Sequence, residues 1–156
     1  VDRLIGDMYY EIMSRLINPD LQFKRRTQRP YPDPVNAILS FGYALLTAHC
    51  TRELVGIHLD PDDGMLNRGK RSLALDFCNC WKTRMIDIPA LDLIKNGVIR
   101  PENYEGGEKR CILAESLIQR LILEYQQSIR QDIIELQVET FIKALSGESG
   151  FEIHRY

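Results

Sequence analysis

Histidine and cysteine side chains offer the most versatile chemistry in a protein, and the sequence holds three histidines and four cysteines. His49 and Cys50 are neighbours in the chain, and because adjacent side chains diverge on a helix they cannot act as a nucleophile and its base. Cys78 and Cys80 stand too close together for the usual zinc knuckle. We therefore expect buried, reduced thiols and a histidine whose hydrogen bonds are satisfied within the fold.

The short motifs that signal other common chemistries do not occur in the sequence. It contains no G-x-x-x-x-G-K-S/T, no G-x-G-x-x-G, no G-x-S-x-G and no H-E-x-x-H. A glycine loop that cradles phosphates, a serine hydrolase nucleophile and a zinc protease centre are therefore all unsupported.

Basic residues are bunched in two short segments, although the formal net charge is −2. That net charge speaks against a protein that coats nucleic acid, but a local patch binds phosphates even on an acidic protein because its field is local. The alternative is that both segments are solvated loops without a ligand. The candidate DNA-binding residues are Lys24, Arg25, Arg26 and Arg29 in the first segment, and Arg68, Lys70 and Arg71 in the second.

Helical periodicity dominates the chain. Apolar residues recur every three or four positions over residues 1–17, and Asp33-Pro34 is a helix start that carries a capping carboxylate and a proline at the first helical position. We expect a second helix to end near Gly56, a third capped by Ser72 that runs to about Trp81, and a helix over 85–95. Residues 96–111 are predicted to be a long loop.

The remaining residues predict a long helical segment that breaks between Ser128 and Asp132, followed by an irregular tail over 146–156. The fold class is therefore all-α. At 156 residues the chain has the length of one domain, so residues 1–156 are expected to form a single helical domain. No apolar run is long enough to span a bilayer and no signal peptide is present, so we expect a cytoplasmic protein with no membrane partner.

Four stretches of sequence together are distinctive. They read RPYPDPVNAILSFGYALL over 29–46, LDP over 59–61, GMLN over 64–67 and RSLALD over 71–76. In order and phrasing they resemble the helical C-terminal domain of the CRISPR-associated spacer-acquisition nuclease and integrase, the Cas-one family. That family also has an N-terminal β domain that mediates dimerisation, and no counterpart of that domain is found in these residues.

The resemblance implies a DNA-binding protein of CRISPR adaptation. Members of the family cut and join DNA with Mg²⁺ or Mn²⁺, which neutralises charge on the scissile phosphate and activates the attacking hydroxyl. It also implies branched or spacer duplex DNA as a ligand, a Cas-two-type partner protein, and a homo-oligomer in the full-length form.

The family's metal ligands are altered when they are carried over to this sequence. Asp2 stands where the family has a glutamate, Asn67 replaces the histidine of G-F-L-H, Asp76 is unchanged, and Asn79 takes a further acidic position. Aspartate reaches about 1.5 Å less far than glutamate, and an asparagine carbonyl in place of an imidazole favours Mg²⁺ over Mn²⁺.

Two interpretations of the catalytic and metal-binding set Asp2, Asn67 and Asp76 remain open. The first is a degenerate site with weak or lost metal chemistry, and the second is a working site that tolerates the replacements. A separate alternative from another functional class is a catalytically inactive helical scaffold that serves protein–protein contact.

Overall fold

The computed structural model describes residues 2–107 and 110–154, with side chains from residue 4 onward. Helices dominate this part of the chain, which confirms the all-α fold class. The helices are α1 (Asp2–Leu16), α2 (Pro34–Gly56), α3 (Ser72–Asn79), α4 (Ile88–Lys95), α5 (Glu115–Ser128) and α6 (Gln131–Leu145). Among the described residues, no helix combines the length and the apolar character that crossing a bilayer requires.

The chain divides into two compact units. The first takes in residues 1–41 and 88–124, and the second takes in residues 42–87 and 125–156. Each unit buries its own set of large apolar side chains, such as Ile38 and Leu121 in the first and Trp81 in the second.

A capping carboxylate fixes the start of α2. The carboxylate of Asp33 accepts the amide of Asn36 at 2.8 Å, which caps α2 as the Asp-Pro pair predicts. The break between α5 and α6 also falls where it is predicted. Between α3 and α4 the backbone forms a π-helical turn over Thr83–Asp87.

Two local predictions are wrong. The predicted loop 96–111 holds the first strand of an antiparallel pair, β1 (Tyr104–Gly106) and β2 (Cys111–Leu113), in which Glu105 lies opposite Ile112. Strands of three residues are too short to show a period-two pattern. Ser72 is the first residue of α3 and not its cap, because Arg71 occupies the cap position in a left-handed conformation.

A close helix approach and an ordered tail organise the second unit. A Cβ at Gly42 of α2 would lie 2.5 Å from the Ile86 side chain, so only a glycine at position 42 lets Ile86 pack this closely against α2. The tail beyond α6 forms no regular element over its described residues but is hydrogen-bonded. Trp81 donates to the carbonyl of His154 at 3.0 Å, and the amide of His154 donates to Gln137 at 2.6 Å.

Candidate nucleic-acid interface

The first basic segment is fastened to the start of α2 by one buried side chain. Asn36 has 0% exposure and lies in the first turn of the helix, three residues after Asp33. Its amide nitrogen Nδ2 donates to the carbonyl of Arg25 at 2.9 Å and to Asp33 Oδ2 at 2.7 Å. Its Oδ1 accepts the backbone amide of Thr27 at 2.9 Å. The segment 25–27 therefore has a fixed path over the helix.

Arg26 belongs to the same network. Its guanidinium donates to Asn36 Oδ1 at 2.7 Å and to the hydroxyl of Ser40 at 2.5 Å, and it lies over the ring of Tyr31. A cation that is half-buried and bonded on two sides is a structural group. The basic residues that remain exposed in this segment are Lys24, Arg25 and Arg29.

Burial and hydrogen bonding shift the pKa of Asp33 in opposite directions. Burial raises the pKa of this carboxyl above its ordinary value, and the hydrogen bonds from the side chain and amide of Asn36 offset only part of the rise. The acid that caps α2 thus lies in a low-dielectric environment.

The loop before α3 is fastened by a carboxylate. Oδ2 of Asp76 accepts the backbone amides of Met65 at 2.7 Å and Leu66 at 2.9 Å. Oδ1 accepts the backbone amide of Asn67 at 2.9 Å and its side-chain nitrogen at 2.6 Å. An ionised carboxylate offers about four lone-pair positions, and donors from the loop take up four.

These donors decide the ionisation of Asp76. Burial opposes the charged form, since the residue is only 8% exposed, but the hydrogen bonds from residues 65–67 outweigh it and hold the pKa below its ordinary value. Asp76 is therefore a charged anchor of the loop at neutral pH.

Ser72, the first residue of α3, also binds the loop. Its hydroxyl accepts the amide of Gly64 at 2.8 Å and donates to the carbonyl of Asp62. A Cβ at Gly64 would lie 2.6 Å from the side chain of Ser72, so the loop approaches α3 too closely for any larger residue. Arg68, Lys70 and Arg71 follow the loop and are exposed.

The predicted metal ligands are brought together in part. Asn67 and Asp76 are in direct contact through their side chains. Asp2 is the first residue of α1, but its side chain lies outside the described residues. Asn79 is exposed and accepts a hydrogen bond from Lys82 at 2.6 Å. Among the described residues no three acidic, histidine or cysteine side chains form a group that could hold a metal ion.

The other reactive residue types have structural surroundings. His49 Nδ1 lies 2.7 Å from Gln131 Oε1, which fits the expectation of a satisfied histidine. All four cysteines are free thiols, and Cys50, Cys78 and Cys111 are buried as expected. The expectation of burial is wrong for Cys80, which is exposed. Sequence reasoning missed the role of Asn36, although its position three residues after a capping aspartate is a usable signal.

Comparison with known proteins places these features in a family. The sequence model for the family described as CRISPR associated protein Cas1 matches residues 1–127. A protein of Methanospirillum hungatei, provisionally named as a CRISPR-associated endonuclease Cas1, is 48% identical over 153 residues, which are 98% of this chain and 50% of that protein. The chain therefore spans about half the length of this curated relative.

Solved structures share the fold. A casposase bound to integration product superposes with a TM-score of 0.83 at 20% identity, over 97% of this chain and 50% of that one. The Cas1-containing Cas6-RT-Cas1–Cas2 complex gives a TM-score of 0.83 at 19% identity, over 94% of this chain and 18% of that one. On the family match and the 48% identity, this chain belongs to the CRISPR-associated Cas1 family.

Proposed function

We propose that this chain is the DNA-binding helical part of a Cas1-type protein of CRISPR adaptation, and that its metal site is degenerate. Family membership supports the role in adaptation, and a neighbour with the same fold is a casposase bound to integration product. The exposed basic residues of the segment 24–29 and of the segment 68–71, which follows the loop 64–67, are the proposed phosphate contacts. Such contacts do not depend on the DNA sequence, and the affinity that they provide falls steeply as the salt concentration rises.

The hydrogen bonding of Asp76 is the observation that supports a degenerate metal site. A divalent ion at this carboxylate would supply charge neutralisation at a scissile phosphate and an activated hydroxyl. It needs a free lone pair, whereas loop donors take four positions on Asp76. A carboxylate only accepts hydrogen bonds, so Asn67 presents its NH₂ group to Asp76, and an NH₂ group is not a metal ligand. The described residues do not fit Mg²⁺ or Mn²⁺ in this arrangement.

The remaining expectations about partners belong to the same proposal. One structural neighbour is a complex that pairs Cas1 with Cas2, and we propose a Cas2-type partner for the full-length protein that contains this chain. We also propose that the full-length form is a homo-oligomer and works in the cytoplasm.

One observation favours the second candidate function, a scaffold for protein–protein contact. Five large apolar side chains of α1 each expose more than half of their surface: Leu4, Ile5, Met8, Ile12 and Leu16. They recur at helical spacing, which is typical of a helix face that contacts another protein surface.

DNA binding measured against salt separates the two functions. We expect the full chain to bind a fluorescent branched DNA at low salt, with log affinity falling linearly with log salt. Two triple variants test the phosphate contacts: one replaces Lys24, Arg25 and Arg29 with glutamine, and the other replaces Arg68, Lys70 and Arg71 with glutamine. Each variant should reduce the salt slope of DNA binding by about one for every phosphate that is no longer bound. Absence of binding at low salt would favour the scaffold.

Metal-dependent turnover tests the degenerate site separately. We expect no cleavage or strand transfer above background when Mg²⁺ or Mn²⁺ is added to the chain with branched DNA. Robust turnover that Asp76→Ala abolishes would overturn the degenerate site while leaving the DNA-binding proposal intact. Addition of metal should also leave the amide resonances of Met65 and Leu66 unshifted.

A further inference from the structure

The loop 64–67 carries the most exposed large apolar side chain in the described part of the chain. Leu66 is 84% exposed and its neighbour Met65 is 56% exposed. Single exposed apolar residues are ordinary, but two adjacent ones at the tip of a tightly held loop are not accounted for by packing within the unit.

The backbone under these two side chains is fixed before any ligand arrives. The backbone amides of Met65 and Leu66 donate to one carboxylate oxygen of Asp76. The backbone amide and the side-chain nitrogen of Asn67 both donate to the other oxygen. The amide of Gly64 is held by Ser72. A pre-organised loop loses little conformational entropy on binding, so its exposed side chains can contribute most of their contact energy to a complex.

Two acidic side chains before the loop are hydrogen-bonded within the fold, whereas the basic side chains after it make no such bond to another described residue. Asp60 and Asp62 precede the loop. The carboxylate of Asp60 accepts the backbone amide of Asp62 at 2.9 Å, and the carboxylate of Asp62 accepts the backbone amide of Arg71 at 2.5 Å. The side chains of Arg68, Lys70 and Arg71 follow the loop, are exposed, and make no hydrogen bond or ion pair with another described residue. An apolar tip therefore stands beside cations that can bind phosphates.

This pairing of an apolar tip with free cations matches DNA at a point where bases are unstacked. Base faces are apolar and the adjoining backbone is anionic, and proteins that open DNA commonly insert leucine or methionine side chains beside a base step. A fully stacked duplex offers no exposed base face at this scale. The complement of the loop is thus an opened step and not uniform duplex.

We propose that Met65 and Leu66 form an apolar wedge that contacts unstacked bases at a frayed or branched position of DNA, while Arg68, Lys70 and Arg71 hold the neighbouring phosphates. The proposal rests on the DNA-binding function above and adds the feature of DNA that this surface recognises. In it, Asp76 is a positioning residue that holds the wedge in place.

Binding of the full chain to two DNAs of equal length and charge tests the wedge. One duplex is fully paired, and the other has a frayed end that carries 2-aminopurine, whose emission rises when the base loses its stacking partners. We expect tighter binding to the frayed duplex and a further rise in emission on binding. Leu66→Ser should lower the preference for the frayed duplex by about fivefold and suppress the emission rise.

A matched control separates the wedge from general surface effects. Leu145 is also an exposed leucine, at the end of α6 and distant in sequence from Arg68, Lys70 and Arg71, so Leu145→Ser should leave both readouts unchanged. An equal loss in both variants, or no preference in the unchanged chain, would overturn the wedge. Undiminished salt-dependent binding without preference would overturn the wedge alone, whereas no binding to either DNA would overturn the proposed function.

The positioning role of Asp76 has its own readout. In Asp76→Asn one oxygen becomes an NH₂ group that cannot accept the loop amides. We expect this variant to lose the emission rise while keeping its affinity for the fully paired duplex. The control Asp63→Asn, at the residue just before the loop, should keep both. A parallel loss of affinity for both duplexes would mean that Asp76 acts only through stability, which contradicts the positioning role.

Discussion

Both basic segments are tied to a helix by one buried polar residue, but the two residues differ in charge. In the first unit the residue is the neutral Asn36, which draws in Arg26 and is flanked by the buried acid Asp33. In the second unit it is the anion Asp76, which is satisfied by backbone amides and one side-chain amide from the loop. The neutral anchor thus uses a cation of its own segment, and the charged anchor uses none.

The consequence concerns how much positive charge each segment can offer to phosphates. The segment 24–29 has four basic residues in sequence, of which Arg26 is committed to Asn36 and Ser40. The segment 68–71 has three, and all are exposed. Counting basic residues in a sequence therefore overestimates the first segment relative to the second. Variants that remove either anchor test this difference.

Asn36→Ala removes the neutral anchor and should be the most destabilising of these changes. The substitution leaves the amide of Thr27, the carbonyl of Arg25 and the guanidinium of Arg26 without their buried partner. Loss of a buried network of this kind costs about 3–4 kcal/mol of the free energy of unfolding. Urea unfolding at pH 7 measures it.

The control for this change is Asn79→Ala, an exposed asparagine whose removal should cost about 0.5 kcal/mol or less. A loss below about 1 kcal/mol for Asn36→Ala would mean that the segment 25–27 is held by other interactions.

Asp76→Ala removes the charged anchor and should cost less, about 2 kcal/mol. Hydrogen bonds to an ionised group are individually stronger, but the amides released at Met65 and Leu66 lie in an exposed loop where water replaces the carboxylate. Amide hydrogen exchange should accelerate at residues 65–67 and remain unchanged along α6. The matched control is Asp63→Ala, and equal destabilisation by both variants would contradict the anchoring role.

Sequence patterns predicted the helices of this chain because helix periodicity and end signals are local. The Asp33-Pro34 start and the break near Ser128 depend only on residues within one turn. The β1–β2 pair is not predictable in this way, because three-residue strands carry no usable alternation. Ser72 has the residue type of a cap, but its hydroxyl bonds to Gly64 and Asp62 instead.

The candidate site was predictable only in outline. The resemblance to a family pointed to Asp76 and Asn67, and the two do touch. What the carboxylate does could not be read from side-chain types, since three of its four donors are backbone amides whose positions depend on the folded loop. In the same way, the sequence shows that Arg26 is basic but not that Asn36 binds it.

Arg26→Gln and Arg25→Gln form a matched pair that separates structural charge from charge that can bind DNA. We expect Arg26→Gln to lower the free energy of unfolding by about 1–2 kcal/mol, because it removes charge-assisted bonds to Asn36 and Ser40. Arg25→Gln should leave stability nearly unchanged and reduce the salt slope of DNA binding by about one. Equal effects of the two variants on both quantities would contradict the assignment of Arg26 to the fold.

Acid titration should move Asp33 and Asp76 in opposite directions from the ordinary aspartate pKa of about 3.9. Burial raises the pKa of Asp33, so it takes up its proton first as pH falls, and that step favours the folded state. Burial also acts on Asp76, but the loop hydrogen bonds prevail and its pKa lies lower. Its stabilising effect is present above about pH 3.9 and is lost as pH falls through its lower folded value. Carboxyl ¹³C shifts against pH measure the order of the two groups directly.

The pH dependence of Asp76→Asn follows from the same lowered pKa. The destabilisation that this variant causes should be constant from neutral pH to about pH 5 and shrink only below about 3.9, since the wild-type carboxyl then becomes neutral as well. Urea unfolding of both proteins across this range measures it. If the effect instead fades between about pH 7 and 5, the carboxyl is protonated before the loop amides can hold it ionised, and the contrast between a neutral and a charged anchor fails.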